Sequence, residues 1–381
     1  MFLCVFLPSY GTHGLNPVLP ELERAFGLQG QSLPTLLSAM FAVGSTLAYL
    51  VIGPLSDRVG RARLLAPGIA AFALVHWATP FLMSVPVLAA LRLCAGFAGG
   101  SVFVTANALV VDHIPYARRG RSMSFVWLGI PAALVIGVPL SAYLAPIRWD
   151  AYFFLAGGFA CAAWLLVRRV LVVGLVPPST PHATSRGFLK KLLERPPLLL
   201  AASSSFVVTV AVFLMFPVLA SHSQRSFAYD APMRANLWVL LGVSGVAGGW
   251  LSGVIADRVG KKNCVVVPLT VSAIAVWLLP LARSAVPFTM LALVLSALTT
   301  LRQGPYQAIV TELVPPTERG AYLAVTLTSA SLGTAVGQAL SGQLFDRVGF
   351  SGVAIGSGAL LLLAAVLFAL VKEPAIAAHG A

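Results

Sequence analysis

The chain has 381 residues, of which 58% are hydrophobic and only 10% are charged, and its mean hydropathy is +0.90. A soluble domain carries about 25% charged residues, so this composition excludes a water-soluble fold and indicates a membrane protein. The net charge of +13 would suggest nucleic acid as the partner of a soluble protein. In a membrane protein the distribution of the basic residues indicates how the chain is oriented in the membrane, because Lys and Arg accumulate in cytoplasmic loops.

Apolar runs of about 20 residues, the length that crosses a bilayer, predict twelve transmembrane helices. The first begins at the amino terminus with no charged segment before it and no cleavage site, so we expect it to be retained. The runs are 1–19, 32–55, 64–83, 87–111, 121–145, 149–172, 198–220, 233–256, 264–282, 286–310, 320–344 and 350–371.

The chain is an internal duplication. Residues 53–63 read GPLSDRVGRAR, and residues 253–263, which are 200 positions later, read GVIADRVGKKN. Asp112 is matched by Glu312 at the same offset. These repeats predict an N-terminal six-helix half, 1–173, and a C-terminal six-helix half, 198–381, joined by a cytoplasmic linker, 174–197. Within the linker, segment 187–195 is amphipathic and basic, which fits a helix on the membrane surface or a simple tether.

The repeated loop resembles the signature GxLaDrxGrr of the major facilitator superfamily, and this resemblance covers the whole chain. It implies an all-α membrane protein with 12 transmembrane helices in two pseudo-symmetric halves, and a transporter rather than an enzyme. It also implies that Asp57 caps a helix of the other half and gates transport, although the loop charges would also serve topology alone. Glycines at 53 and 60 permit close approach and a tight turn. The residues assigned to gating are Gly53, Asp57, Arg58, Gly60, Arg61, Asp112, Gly253, Asp257, Arg258, Lys261 and Glu312.

The distribution of basic residues predicts the orientation. Of the 25 Lys and Arg, 17 fall on the side of the signature loops and 6 on the opposite side. Both termini and the signature loops are therefore expected in the cytoplasm of a bacterial-type cytoplasmic membrane.

Predicted helices 4 and 5 carry two further resemblances. Arg92 and Gly96 match the RxxxG motif of the family, and an ionisable residue inside a span is by default a functional candidate. We therefore treat Arg92 as a candidate for proton coupling, with snorkelling to the interface as the alternative. Gly137 and Pro139 resemble the antiporter motif of proton-linked drug and sugar exporters of the sugar-efflux and chloramphenicol-exporter type. Gly129 lies on the same face, so helix packing alone would also explain these glycines.

Predicted helices 1 and 10 carry the polar residues assigned to substrate. His13 is a candidate proton carrier, because histidine titrates near neutral pH, but a structural hydrogen bond is an open alternative. Arg302 lies deep in helix 10, next to Gly304 and Pro305, which weaken the helix and suit bending. The predicted substrate-binding residues are Tyr10, His13, Asn107, Arg302, Gln303 and Tyr306.

All 12 acidic residues fall in loops or at predicted helix ends. A cationic substrate would then meet no buried counter-charge, so we predict a neutral, zwitterionic or anionic substrate.

These features predict a secondary active transporter that moves a small polar or amphipathic molecule by alternating access, as proton-coupled efflux. The alternatives are an importer or uniporter of an organic anion or neutral metabolite, and a non-transporting receptor. The sequence has no GxxxxGKS phosphate loop, which argues against ATP as the energy source. No metal, cofactor or nucleic acid is expected. The expected partners are the substrate and the lipid bilayer, and the expected state is a monomer.

Overall fold

The computed structural model describes residues 1–27, 30–82, 84–113, 125–172, 194–315 and 318–371. The side chains of Asp57 and Asp112 lie outside this described part, as does most of segment 187–195. Statements about Asp57 and Asp112 as gating residues therefore stay predictions.

The first half consists of helices joined by short turns. A 3-10 turn, Asn16–Val18, separates α1 from α2, and a second one, Thr79–Phe81, follows α4. The helices are α1 (Phe2–His13), α2 (Leu19–Ala25), α3 (Ser32–Val59), α4 (Arg61–Ala78), α5 (Val85–His113), α6 (Phe125–Leu144) and α7 (Ala151–Val172). In α6 the segment Ala133–Gly137 forms a π-helical turn. Pro139 follows this turn and has no N–H to donate to the carbonyl of residue 135, which favours the wider turn.

The second half repeats this arrangement. Its helices are α8 (Pro196–Phe227), α9 (Ala231–Val259), α10 (Asn263–Leu278), α11 (Ala285–Leu301 and Gln303–Glu312) and α12 (Arg319–Ala369). Ten helices, α3 to α12, are long and apolar enough to cross a membrane, and the described residues contain no β-strand. The chain is therefore an integral membrane protein with an all-α fold.

Two helices differ from the predicted runs. The first run, 1–19, forms a helix only to His13, after which the chain turns toward Pro17 at the start of the 3-10 turn. The runs 320–344 and 350–371 are joined in α12, whose single non-helical residue is Gly349 (φ 69°). A helix of 51 residues would be about 75 Å long, against a hydrocarbon thickness of about 30 Å. Helix α12 therefore supplies two spans, 319–348 and 350–369.

The duplication is visible in side-chain packing. In the first half, Trp77 Nε1 donates to the carbonyl of Phe154 at 3.3 Å, and the indole covers Gly157. In the second half, Trp277 Nε1 donates to the carbonyl of Ile355 at 3.2 Å and covers Gly358. The two tryptophans are 200 residues apart, so each half is braced by the same contact between its third and sixth predicted helices.

The most extensive contacts between the halves in the described structure are those of two helix pairs, α3 with α12 and α6 with α9, and α8 also contacts α2 and the turn before it. On the first pair, Thr46 Oγ1 donates to Ser331 Oγ at 2.9 Å, and the Gly342 N–H donates to Thr35 Oγ1 at 3.1 Å. On the second pair, Gly242 lies directly against the backbone of α6 at residues 134 and 135. We call the end of the bundle that carries the turns at residues 60 and 260 the loop end, and the opposite end the distal end.

Candidate functional site

Arg302 interrupts α11 and is a buried cation. The break is local in origin, because Pro305 has no N–H with which to continue the helix bonds. The Arg302 side chain is 7% exposed, and its Nε has no hydrogen-bond partner among the described residues. The described part of the chain also places no carboxylate within ion-pair distance of it. A buried guanidinium without an acid is costly unless a ligand or water satisfies it, which makes Arg302 a candidate anchor for an anion.

Three other predicted binding residues, Tyr306, Tyr10 and Asn107, have hydrogen-bond partners inside their own halves. Tyr306 Oη donates to the carbonyl of Ala201 at 3.0 Å, and Tyr10 Oη lies 2.5 Å from Ser141 Oγ. Asn107 is half-buried. Its Nδ2 donates to the carbonyl of Phe103 at 2.8 Å, and its Oδ1 accepts from Trp127 Nε1 at 2.9 Å. Gln303 is exposed. Substrate contact by these four residues stays a prediction.

His13 lies between the two halves of the molecule. Its ring stacks on Phe213 of α8 with 5.3 Å between ring centroids, and its Nδ1 is buried without a partner in the described structure. At the offset of 200, Phe213 is the residue that corresponds to His13. Because each of these residues contacts its own counterpart, the pseudo-twofold axis passes through this contact.

Further unsatisfied polar groups lie near His13. Asn16, one turn further along the chain, is fully buried and neither amide atom has a partner in the part of the chain that the structure describes. Trp238 of α9 is 1% exposed with an unpaired Nε1, and its ring lies 6.2 Å from that of Phe216. We call His13, Asn16, Phe213, Phe216 and Trp238 the central cluster. Aromatic walls with a few polar groups are typical of small-molecule sites.

The central cluster was only partly predictable. His13 and Asn16 are polar residues on an apolar helix and draw attention from the sequence alone. Phe213, Phe216 and Trp238 do not, because aromatic residues on a membrane helix are ordinary. The duplication offers one signal, since positions 13 and 16 correspond to 213 and 216.

Arg92 is buried in a different way from Arg302. It is 1% exposed and donates to the carbonyl of Gly11 at 2.9 Å, to Tyr152 Oη at 3.0 Å and to the carbonyl of Leu37 at 3.5 Å. Its guanidinium also lies 4.7 Å from the ring centre of Phe41. These contacts join α1, α3, α5 and α7, so Arg92 does not snorkel to the interface. A role in proton coupling stays a prediction.

At the loop end the two signature turns are alike. Gly60 and Gly260 have φ values of 100° and 86°, which glycine adopts without strain, and this confirms the predicted tight turn. A Cβ on Gly53 or on its repeat, Gly253, would meet no atom of the described structure within 4 Å. The close approach predicted at Gly53 therefore stays a prediction.

The charges of the signature loops make contacts within each half. Arg61 Nη1 donates to the carbonyl of Ala108 at 3.0 Å, which ties α4 to α5. Lys261 Nζ lies 2.7 Å from Glu312 Oε1, which ties the start of α10 to the end of α11. The remaining loop residues assigned to gating, Arg58, Asp257 and Arg258, are exposed. A gating role for these residues stays a prediction.

At the distal end, ion pairs connect the two halves. Arg234 Nη2 of α9 lies 2.5 Å from Glu21 Oε1 of α2, and both side chains are only 5% exposed. The same carboxylate oxygen accepts from Arg24 on its own helix at 2.9 Å. A second pair, Arg225 with Glu23 at 3.2 Å, is more exposed.

Neutral and capping contacts complete this closure. Asp346 of α12 accepts from the N–H groups of Gln31 and Ser32, both at 2.8 Å, and so caps the start of α3. Ser221 Oγ of α8 donates to Gln31 Oε1 at 2.9 Å. We call these contacts the distal seal, whose members are Glu21, Glu23, Gln31, Ser32, Ser221, Arg225, Arg234 and Asp346. The sequence places its acids at helix ends but does not reveal their partners.

Comparisons with known proteins agree on one family. The Major Facilitator Superfamily sequence model matches residues 1–304 and 244–380. The chain is 22% identical to YceJ, an uncharacterized MFS-type transporter of Bacillus subtilis, over 95% of this chain and 92% of that protein. It is 28% identical to the gallate transporter of Pseudomonas putida, over 49% of this chain and 40% of that protein.

A solved structure extends the comparison to the fold. The crystal structure of a D-xylose-proton symporter superimposes with a TM-score of 0.80 at 16% identity, covering 98% of this chain and 96% of the symporter. The matching fold and the transporter relatives also exclude an enzyme. The chain is a secondary transporter and belongs to the Major Facilitator Superfamily.

Proposed function

We propose that the chain exports a neutral or anionic small molecule in exchange for protons, by alternating access across the cytoplasmic membrane. The proposed substrate class rests on the environment of Arg302. This residue is a buried guanidinium in the second half, with an unpaired Nε and no acid beside it in the described structure. A cationic substrate would be repelled by this charge at low local dielectric, whereas an anion would satisfy it.

The conformation fits one state of an alternating-access cycle. The distal seal closes one end of the interface between the halves, through buried and exposed ion pairs. The 17 to 6 distribution of basic residues assigns the loop end to the cytoplasm. On this assignment both termini are cytoplasmic and the closed distal end faces outward, as an inward-facing form requires, and the proposed transporter acts as a monomer.

The central cluster extends the substrate class to molecules that contain a ring. Phe213, Phe216 and Trp238 supply aromatic surface, and His13 and Asn16 supply unpaired polar groups. An aromatic carboxylate would use both features, since ring stacking and a charge-assisted bond to an arginine are compatible contacts. The name of the gallate transporter relative supports this class, because gallate is an aromatic carboxylate.

The proposed direction and coupling rest on α6 and α1. The motif around Gly137 and Pro139, which resembles that of proton-linked exporters, falls at the π-helical turn, and such turns occur often at functional sites. His13 is the proposed proton carrier, because it lies on the pseudo-twofold axis and its Nδ1 has no partner among the described residues. Import or uniport of an organic anion is the second candidate function, favoured by Arg302 and by the gallate transporter relative.

Transport assays with probes of different charge test this proposal. Inside-out vesicles containing the protein would be energised with a proton gradient and given benzoate, benzyl alcohol or the lipophilic cation tetraphenylphosphonium. We expect proton-dependent accumulation of benzoate, about tenfold weaker in Arg302→Ala because a charge-assisted contact is lost. Arg283→Ala, at a loop on the distal side, is the matched control and should transport normally. Strong transport of the cation, unaffected by Arg302→Ala, would contradict the proposed substrate class.

A further inference from the structure

The two residues of the buried ion pair in the distal seal, Glu21 and Arg234, differ in the other charged groups that they contact. Glu21 Oε1 accepts from Arg234 of the other half and also from Arg24 of its own helix. Arg234 has Glu21 as its acid, and its other bond, from Nη1, goes to the neutral amide of Gln224 at 2.7 Å. The Arg234 Nε is buried and has no partner in the described residues.

Opening of the distal end must separate Glu21 from Arg234, because they lie on different halves. Glu21 keeps a cation, since Arg24 moves with it. Of its partners in the described structure, Arg234 loses its acid and keeps Gln224, while Asp230, the acid nearest in sequence, uses its carboxylate to accept from the Met233 N–H. A guanidinium that has lost its acid, with its Nε already without a described partner, is the natural position for another negative charge in the open state.

That position adjoins the central cluster. Arg234 and Trp238 are four residues apart on α9, so their side chains lie on the same face one turn apart. The Trp238 ring in turn lies 6.2 Å from Phe216. A ligand whose carboxylate is bound at Arg234 would therefore have an aromatic surface beneath it, in the direction of His13.

We infer that Arg234 is a carboxylate-binding site in the distal-open state, where an anionic substrate takes the place of Glu21. The inference rests on the proposed anionic substrate class and adds a second arginine, distinct from Arg302, to the transport path. Because Glu21 and the substrate compete for the same guanidinium, an anion at Arg234 stabilises the open state and Glu21 displaces it on closing. A ligand shifts such an equilibrium by its difference in affinity for the two states.

The test compares the two partners of the pair. Binding of benzoate and of benzamide, its neutral analogue, would be measured by calorimetry on the purified full chain in nanodiscs. We expect Glu21→Gln to bind benzoate about tenfold more tightly, because the Arg234 guanidinium is then free to pair with the carboxylate of benzoate. We expect Arg234→Gln to bind benzoate about tenfold more weakly, because that guanidinium is lost. Arg234→Lys should retain the preference for benzoate, and benzamide binding should change little in all three.

The exposed pair supplies matched controls. Glu23→Gln and Arg225→Gln break the other ion pair of the seal, which is worth little because the Arg225 side chain is 51% exposed, and both should bind benzoate as the wild type does. A purely structural seal predicts that Glu21→Gln and Arg234→Gln change benzoate affinity in the same direction, and that result would overturn the inference.

The same measurements separate this inference from the proposed function. Wild-type benzoate binding that depends on Arg302, together with equal effects of the Glu21 and Arg234 variants, would leave the proposed function standing without the distal site. Tight benzoate binding by Glu21→Gln that is unchanged by Arg302→Ala, with no transport by the wild type, would support the site and contradict the proposed function. Failure of every variant to bind benzoate would overturn both. Thermal melting of each variant identifies any that is unfolded. If Arg234→Gln is unfolded, the tighter benzoate binding of Glu21→Gln relative to Glu23→Gln remains the test.

Discussion

Two arginines inside the membrane spans have opposite environments, although the sequence presents them alike. Arg92 donates to two backbone carbonyls and a tyrosine hydroxyl from three other helices. Arg302 has an unpaired Nε and lies at a helix break. A residue whose hydrogen bonds are all internal is suited to hold helices together, whereas one with unpaired donors is suited to bind a ligand.

We expect Arg92→Ala to destabilise the protein, because three carbonyl and hydroxyl acceptors would lose a charged donor. The expected loss is about 3 kcal/mol in the free energy of unfolding, measured by denaturant unfolding in detergent micelles. Arg148→Ala is the control, since Arg148 is paired with Asp150 but 60% exposed, and surface pairs contribute at most about 1 kcal/mol. Unchanged stability of Arg92→Ala with loss of proton-driven transport would instead support the coupling role.

The sequence predicts which residues of the site are polar but not which are unsatisfied. The sequence predicts that Tyr10, Asn107 and Tyr306 bind the substrate, because they are polar groups on apolar helices. The structure gives each a partner inside its own half. Whether a side chain finds such a partner depends on the rotation and depth of neighbouring helices, which hydropathy does not determine.

At the scale of helices, small residues determine how closely the spans pack. A Cβ on Gly96 of α5 would lie 1.9 Å from the carbonyl oxygen of Phe41, and a Cβ on Gly248 of α9 would lie 2.1 Å from that of Ala297. The predicted packing role of Gly129 and Gly137 is confirmed as well, since a Cβ on either would clash with α1. In membranes, such close backbone approach replaces the hydrophobic effect as the source of helix association.

A pair of adjacent glycines in α9 tests this packing. Gly248→Ala must push α9 away from α11, because the obstructing atom is a backbone carbonyl. We expect a loss of about 1–3 kcal/mol in the free energy of unfolding, as for other overpacked sites. Gly249→Ala has the same helix propensity but would meet no described atom within 4 Å, so its melting temperature should equal or exceed that of the wild type. Equal melting of both variants would show that the contact is not tight.

Element boundaries were predictable where turn residues are distinctive. The turns at Gly60 and Gly260 separate helices near the predicted positions, because the signature sequence marks them. The junction at Gly349 was expected to be a loop between 344 and 350 and is a single non-helical residue. The charged residues Asp346 and Arg347 interrupt the apolar pattern there, but hydropathy does not show that the helix breaks at Gly349 alone.

At the scale of the whole molecule, the ion pairs and helix caps that join the halves in the described structure lie at one end. The buried pair of Glu21 with Arg234, the cap of Asp346 on α3 and the bond of Ser221 to Gln31 all lie at the distal end. The signature-loop contacts of Arg61 and Lys261 remain within single halves. Such an arrangement allows the loop end to open while the distal end is closed.

Topology reporters test the orientation on which this description depends. A reporter inserted within 187–195 should give a cytoplasmic signal, and one inserted near Ser226 should give an external signal, because 17 basic residues lie on the first side and 6 on the second. Phosphatase and fluorescent-protein fusions at both positions provide the measurement. Reversed signals at the two positions would place the distal seal in the cytoplasm and make the structure an outward-facing form.

The bracing of the first half has a consequence for biogenesis. Among the described residues, the hydrogen-bond partners of Arg92 lie between residues 11 and 152, and Trp77 contacts its glycine at residue 157. All of these contacts can form before the ribosome has synthesised α8. During co-translational insertion, the first six spans can therefore reach their packed arrangement while the second half is still absent. The later spans then assemble against a preformed template, which reduces the exposure of buried arginines to lipid during synthesis.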